Sequence, residues 1–228
     1  MVLLERNIAI GAAVFFVFSQ VLEKSMHAYL LRANPDTAAW FKAHGIAFAI
    51  YGSLAAGLFE EVGRYAGMRF LARPSGNPGT AVAYGIGHGG IESMLVGALA
   101  MLQALVFAVL LDLGKFDTIF ASTLPPDVLN QIRASLEHLT LAGLTLATVE
   151  RLVALLTQIG LSLVVWRAVE GRRLWLLAIA VLLHALVDFP AALAQAGLIS
   201  LVAAEAPIFA IGALLASLYL YRLPPRRS

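Results

Sequence analysis

Residues 80–111 read TAVAYGIGHGGIESMLVGALAMLQALVFAVLL, and this stretch contains no lysine, arginine or aspartate. A helix that crosses the hydrocarbon core of a bilayer needs about 20 consecutive, mostly apolar residues. The stretch is long enough, and its apolar runs are longer than the roughly 4–8 residues of a buried strand. It is interrupted by one histidine, His88, and one carboxylate, Glu92. We therefore predict a membrane-spanning helix that carries a histidine and a carboxylate in its first half.

The whole chain has the composition of an integral membrane protein. It has 228 residues, of which 60% are hydrophobic and 13% are charged, and its mean hydropathy is +0.83. A soluble domain is about 45–50% apolar and about 25% charged. The chain has no cysteine, which excludes disulfides, thiolate catalysis and Cys-ligated zinc. The net charge of +2 does not indicate a nucleic-acid partner, because the basic residues lie at the ends of apolar segments, where membrane topology explains them.

Six apolar segments are long enough to span a bilayer. They are residues 8–31, 39–71, 80–111, 140–167, 173–196 and 200–221. The outer connection, residues 113–138, contains a partly amphipathic run at 127–138, which predicts a short interfacial helix. We expect an all-α, polytopic membrane helix bundle in which residues 1–228 form a single domain.

The distribution of lysine and arginine predicts the orientation of these segments. If the N-terminus is inside, nine basic residues lie at inner ends: Arg6, Arg69, Arg73, Arg167, Arg172, Arg173, Arg222, Arg226 and Arg227. The outer ends carry five: Lys24, Arg32, Lys42, Lys115 and Arg133. Because cytoplasmic ends carry the excess of basic residues, we expect both termini in the cytoplasm.

Ionisable side chains within the apolar segments indicate a functional site. They are Glu60, Glu61, Arg64, His88, Glu92, Glu150, Arg151, His184, Asp188 and Glu205. Each costs roughly 2.5–3.5 kcal/mol on insertion scales, so a function is the default explanation. Counted from the inner loops at about 1.5 Å per residue, the glutamate pair, His88 and His184 lie roughly 12–18 Å into the bilayer. We expect these groups to form one site in its cytoplasmic half.

The spacing of these residues predicts their shared helix faces. Three pairs lie four positions apart, Glu60 with Arg64, His88 with Glu92, and His184 with Asp188. Two histidine–carboxylate pairs on neighbouring helices can converge on one divalent metal, with zinc favoured, which gives the candidate ligands His88, Glu92, His184 and Asp188. A nearby glutamate could then deprotonate a water. The simpler interpretations are a helix–helix hydrogen bond for either histidine and a buried ion pair between Glu60 and Arg64.

The remaining polar residues are expected to play smaller parts. His27, His44 and His138 lie near predicted helix ends, so we expect them to contact headgroups or water. Arg151 is a candidate to brace a carboxylate of the site. We favour no direct chemical role for Glu150, which lies further out, or for Glu205, which lies near the outer surface.

Three motifs, in this order, resemble the CAAX protease and bacteriocin-processing family of glutamic intramembrane proteases. They are Glu60-Glu61-Val62-Gly63-Arg64, Tyr84-Gly85-Ile86-Gly87-His88 and His184-Ala185-Leu186-Val187-Asp188. The longer segments around these motifs are similar to the bacterial YhfC-type branch of intramembrane metalloproteases. These segments read GLFEEVGRY, YGIGHGGIES, QIGLS and HALVDFPAAL. The resemblance implies a peptidase of the bacterial cytoplasmic membrane.

The resemblance also implies roles for these residues. Glu60 would work with His88 to activate a water, and Arg64 would orient the glutamate pair Glu60 and Glu61. The third motif, His184 with Asp188, would form the oxyanion hole.

Two positions depart from the pattern of the wider family. Arg64 follows the glutamate pair after two residues instead of three, which shifts it by about 100° around the helix. Asp188 stands where the wider family often has asparagine, and an ionised aspartate cannot donate a hydrogen bond to an oxyanion. Asp188 is then either protonated or paired with a cation. Several carboxylates in a low-dielectric site repel one another, which favours a metal.

Our leading hypothesis is an intramembrane endopeptidase. It would hydrolyse a peptide bond of a membrane-embedded or membrane-anchored protein, using a water activated by glutamate and histidine, with or without a metal. One alternative is a transporter or channel that moves protons or metal ions through the same Glu/His/Asp cluster. A second is a non-catalytic immunity or binding protein on the same bundle. The sequence does not identify a substrate.

Overall fold

The computed structural model describes residues 2–72, 77–200 and 203–204, and within them the chain forms helices and no strand. The α-helices are α1 (Val2–Phe15), α2 (Lys24–Ala28), α3 (Pro35–Ala43), α4 (Gly45–Ala66), α5 (Gly79–Glu92), α6 (Leu99–Asp112), α7 (Phe116–Phe120), α8 (Pro126–Glu137), α9 (Leu141–Glu170) and α10 (Leu174–Gln195). π-helical stretches extend the neighbouring α-helices at Phe16–Glu23, Tyr29–Ala33, Gly67–Ala72 and Ser93–Ala98. The prediction of an all-α fold is confirmed.

Five helical segments of the described chain are long and apolar enough to cross a membrane. They are Leu4–Ala33, Gly45–Ala72, Gly79–Asp112, Gly143–Glu170 and Leu174–Gln195. Each corresponds to one of the first five predicted spans, as expected for a polytopic helix bundle. The sixth predicted span, residues 200–221, lies almost entirely outside the described residues, and so do Arg73, Glu205 and the C-terminal arginines.

The second spanning helix begins later than predicted, so the span of residues 39–71 is wrong at its start. The short helix α3 begins at the cap residue Asn34, whose side-chain oxygen accepts a hydrogen bond from the backbone N–H of Asp36 at 3.1 Å. Such a cap satisfies one of the free N–H groups of a first helical turn. His44 then interrupts the helix, with φ of −123° and ψ of 71°, and α4 begins at Gly45. Hydropathy alone does not register this break.

Ser93–Arg151 form a compact unit of their own. Within it, the rings of Phe107, Phe116 and Phe120 pack with centroids 5.2–5.5 Å apart, which joins α7 to α6. The helix predicted at residues 127–138 is confirmed as α8. At the end of the unit, the Arg151 guanidinium donates a hydrogen bond to the carboxylate of its neighbour Glu150.

The described parts of residues 1–92 and 152–228 form the other compact unit. Here α1 packs along α5, and α4 packs along α10. Two glycines of α5 allow very close approach: a Cβ atom on Gly87 would lie 1.9 Å from the backbone oxygen of Ile8, and one on Gly85 would lie 2.7 Å from Cα of Ile159. Small residues at such crossings are typical of membrane helices that pack backbone to backbone. The close packing places α5 directly between α1 and α9.

Candidate active site and metal centre

Four helices of the unit formed by residues 1–92 and 152–228 bring polar side chains together. They contribute Glu60, Glu61 and Arg64 from α4, His88 and Glu92 from α5, Gln158 and Ser162 from α9, and His184 and Asp188 from α10. The α4 residues, His88 and His184 are each at most 6% exposed. All six candidate catalytic residues of the three motifs therefore lie in one place in the fold.

Glu60 lies at the centre of this cluster. Its Oε2 atom is 2.9 Å from Nε2 of His88, 3.3 Å from the amide nitrogen of Gln158 and 3.8 Å from Nε2 of His184. A single carboxylate oxygen thus faces both imidazole rings. The ring of Phe15 packs edge-on against His88, with centroids 5.0 Å apart, and closes one side of the site. A carboxylate in this position can exchange a proton with a water or substrate held beside it.

The arginine of the first motif pairs with the second glutamate. The Nη2 atom of Arg64 lies 3.2 Å from Oε1 of Glu61, and its Nη1 atom donates to the backbone oxygen of Gln158 at 2.6 Å and to Oγ of Ser162 at 2.9 Å. The hypothesis of a buried ion pair between Glu60 and Arg64 is therefore wrong. The acceptors on α9 hold the Arg64 guanidinium beside Glu61, which is one residue nearer to Arg64 along α4 than Glu60 is.

His184 has carboxylates on both sides of its ring. Its Nδ1 is 2.7 Å from Oε1 of Glu61, while its Nε2 is 3.4 Å from Oδ2 of Asp188 and 3.8 Å from Oε2 of Glu60. A neutral imidazole has a single N–H and can satisfy one side only. The other side needs an imidazolium, a protonated carboxyl group or a cation between the ring nitrogen and the carboxylates. With its N–H on Nδ1 and Glu61 as acceptor, His184 has the carboxylate–histidine arrangement that commonly orients metal ligands.

Gln158 links the two halves of the cluster, and sequence reasoning missed it. Its amide nitrogen donates to Oε2 of Glu92 at 2.6 Å and to Glu60 at 3.3 Å, while its amide oxygen accepts from Nη2 of Arg64. This amide orientation gives every contact a donor and an acceptor. The available signal was QIGLS, in which Gln158 and Ser162 lie four residues apart on one face of an apolar helix. A search for intramembrane charges passes over a neutral amide.

The residues best placed to hold a metal are Glu60, His88 and Glu92. Each offers one ligand atom, and these atoms all lie within 4.8 Å of one another. His88 and Glu92 are predicted ligands, whereas Glu60 is predicted as the base. The other two predicted ligands, His184 and Asp188, adjoin this group through the contacts of His184 with Glu60 and Asp188. Imidazole and carboxylate donors in this combination suit zinc and other divalent transition metals, so the residues present fit such an ion.

Asp188 differs from the rest of the cluster in its exposure. Its side chain is 40% exposed, whereas the side chains of Glu60 and His184 are 7% and 4% exposed. The cluster therefore opens toward the outside of the unit at Asp188.

A second polar cluster, which we call the Glu23 cluster, consists of Ser19, Glu23, His27 and Tyr51. Nε2 of His27 lies 3.0 Å from Oε1 of Glu23, and its Nδ1 lies 2.6 Å from the Tyr51 hydroxyl. Ser19 donates to the other Glu23 oxygen at 3.2 Å. Both ring nitrogens of His27 therefore have protein partners, which the sequence did not predict, and contact with headgroups or water stays a prediction. The first spanning segment continues to Ala33, so Glu23 is a buried residue of that helix and not a residue of its end.

Comparisons with known proteins agree with this arrangement of motifs. No solved structure is significantly similar to the chain. A protein of Bacillus subtilis strain 168, described as uncharacterized membrane protein YhfC, is 39% identical over 212 residues, which are 93% of this chain and 81% of that protein. The sequence model of the YhfC intramembrane metalloprotease family matches residues 2–209. The chain therefore belongs to the YhfC intramembrane metalloprotease family.

Proposed function

We propose that this protein is an endopeptidase that hydrolyses a peptide bond of a membrane-associated protein in the cytoplasmic half of the bilayer. The observation that carries the proposal is the position of Glu60, whose Oε2 lies 2.9 Å from Nε2 of His88 and 3.8 Å from Nε2 of His184 in a buried site. Membership in a family described as intramembrane metalloproteases supports the class of reaction. The family does not favour the transporter or the non-catalytic alternative.

Glu60 acts as the general base. It takes a proton from a water at Oε2 while that water adds to the scissile carbonyl carbon, and it then returns the proton to the leaving nitrogen. General acid–base transfer of this kind contributes about 10²–10⁴-fold to a rate. His88, in contact with the same oxygen, holds the carboxylate in position. The apolar surroundings keep bulk water away from these groups.

A divalent metal, for which zinc is favoured, would be held by His88 and Glu92 of the Glu60–His88–Glu92 group, with His184 and Asp188 as the adjoining ligands and Glu60 left as the base. When bound, such an ion supplies a Lewis acid that stabilises negative charge on the carbonyl oxygen and makes water more acidic. Its charge would also offset the repulsion among the buried carboxylates. The exposed Asp188 carboxylate marks the side from which the substrate enters.

Three further residues keep this arrangement in place. Glu61 accepts a hydrogen bond from Nδ1 of His184, which turns Nε2 toward Glu60. Arg64 neutralises Glu61. Gln158 donates to Glu60 and Glu92 and so separates two carboxylates that would otherwise repel each other.

The test is cleavage of a membrane-peptide library by the full chain reconstituted in liposomes. We expect activity in the wild type, its loss in Glu60→Gln and His88→Ala, and its retention in Glu150→Gln, a matched change at another glutamate of a spanning segment. Metal analysis of the same samples should find one divalent ion in the wild type and less in His88→Ala. Persistent cleavage in both Glu60→Gln and His88→Ala contradicts the proposal. Full activity in a demonstrably metal-free sample contradicts only its metal component.

A further inference from the structure

A cavity of about 610 Å³ lies at the turn between α9 and α10. Its lining includes Trp166, Arg167, Glu170, Arg173, Trp175 and Leu176. One spanning segment ends at Glu170 and the next begins at Leu174. The cavity therefore lies where two apolar helices leave the hydrocarbon core, which is the depth of lipid headgroups. None of these residues takes part in the proposed peptidase site.

The charged groups of the cavity favour an anion. Arg167 and Arg173 line it together with a single carboxylate, Glu170. The planar guanidinium group matches the oxygens of a phosphate and binds them in a bidentate manner. The turn also lies at an end of the bundle that the basic residues predict to be cytoplasmic, where anionic lipids give the membrane surface a negative potential.

Hydrogen-bond donors without acceptors also point to a ligand here. The N-terminus of α10 has no side-chain cap at Arg173. Its first backbone N–H groups and the positive end of the helix dipole are therefore available to an anion.

We propose that this cavity binds the phosphate of an anionic phospholipid, of which phosphatidylglycerol is the representative. A lipid fits better than a free phosphate because apolar side chains adjoin the basic groups. Trp175 and Leu174 are 58% and 64% exposed at the start of α10, where acyl chains would cover them. Tryptophans at the membrane interface occupy this same depth. Arg167, Arg173 and the first backbone N–H groups of α10 bind the phosphate, while Glu170 weakens the binding by charge repulsion.

Lipid binding can be measured through the intrinsic fluorescence of the tryptophans. The chain has three, Trp40, Trp166 and Trp175, so a Trp40→Phe background leaves only the two that line the cavity. The purified full-length protein in neutral detergent is titrated with phosphatidylglycerol or phosphatidylcholine that carries brominated acyl chains, which quench nearby tryptophans. We expect half-maximal quenching at an about tenfold lower concentration of phosphatidylglycerol, the effect of about one net charge-assisted contact.

Variants of the turn distinguish specific binding in the cavity from nonspecific attraction of an anionic lipid to nearby arginines. Arg173→Gln and Arg167→Gln should each weaken phosphatidylglycerol binding by about tenfold, and Glu170→Gln should strengthen it. The matched control is Arg172→Gln, because Arg172 belongs to the same turn but does not line the cavity, and we expect no change there. Two arginine variants are included so that a folding defect in one leaves the other informative.

Three results would overturn the proposal. The first is equal quenching by the two lipids. The second is an Arg172→Gln variant that loses as much affinity as Arg167→Gln and Arg173→Gln. The third is displacement of the brominated phosphatidylglycerol by inorganic phosphate as effectively as by unlabelled phosphatidylglycerol, which would indicate a site for a soluble anion. Displacement by the unlabelled anionic lipid alone supports the proposal.

Discussion

His184 and His27 both lie within spanning segments and both contact a glutamate, but the two histidines are satisfied differently. His27 has one carboxylate, Glu23, at Nε2 and a hydroxyl, Tyr51, at Nδ1. A neutral imidazole meets both needs, since it donates from Nε2 and accepts the tyrosine proton at Nδ1. His184 instead has carboxylates at both nitrogens. A neutral ring satisfies only one of two ionised carboxylates, so the other must carry a proton or face a cation.

This contrast separates a structural cluster from a chemical one. The Glu23 cluster is a closed chain of hydrogen bonds that joins the first two spanning segments and needs nothing further. The cluster around Glu60 has four carboxylates, Glu60, Glu61, Glu92 and Asp188, but one arginine, and it opens outward at Asp188, whose side chain is 40% exposed. Buried charge without complete compensation is costly unless a proton, a metal or a substrate completes it. The four predictions that follow compare matched substitutions in the two clusters or in their helices.

The largest difference is expected between Glu60→Gln and Glu23→Gln. The first removes the proposed general base and should lower the rate of peptide cleavage by about 10²–10⁴-fold. The second keeps a hydrogen-bonding side chain in a cluster outside the proposed active site, so the rate should stay close to that of the wild type. The measurement is initial cleavage rate in liposomes at equal protein content. Equal losses in the two variants would mean that the clusters act as one.

Replacement of Glu61 should loosen metal binding without removing a predicted ligand. In Glu61→Gln, His184 loses the carboxylate that fixes its ring, and buried Arg64 loses its ionic partner. Loss of such an orienting partner weakens metal affinity by about 10–100-fold. Competition with a chelator of known affinity gives the Kd. In the other cluster, Glu23→Gln should leave the Kd for the metal unchanged. Weaker metal binding by the Glu23→Gln variant would contradict the assignment of the metal to the Glu60 cluster.

A smaller effect is expected on α9. Gln158→Leu removes donors to Glu60 and Glu92 and an acceptor for Arg64, which should lower the free energy of unfolding by about 1–3 kcal/mol. Its neighbour Thr157 provides the control, because it is 4% exposed and its hydroxyl has no partner among the described residues. Thr157→Val should be neutral or stabilising. Equal destabilisation of the two variants in denaturant titrations would show that Gln158 fills space and does not connect the carboxylates.

The sequence predicts the first five spans because length and hydropathy are sufficient to define a membrane helix. It also predicts that the three motifs come together, since residues four apart share a helix face. It does not predict that Arg64 pairs with Glu61, because the choice is made by acceptors on α9, nearly a hundred residues away in the chain.

Two other differences have local causes. Gln158 is uncharged and so does not stand out against an apolar helix. Glu23 lies beside Lys24, which suggests a helix end, whereas the spanning segment continues to Ala33. Neutral polar residues and charges near an apparent boundary are therefore the positions at which this kind of reasoning is weakest.

The smallest effect is expected for Tyr51→Phe. The variant removes the hydroxyl that donates to Nδ1 of His27 and leaves the ring and its packing in place. Water can replace the lost donor because the His27 side chain is 20% exposed, so the free energy of unfolding should fall by only about 0.5–1.5 kcal/mol. Tyr65→Phe, on the same helix, is the control, since no hydrogen bond of its hydroxyl is found within the described residues. Thermal unfolding and cleavage are measured together. A large loss of cleavage in Tyr51→Phe, with little loss of stability, would place the Glu23 cluster within the catalytic machinery and remove the distinction between the two histidines.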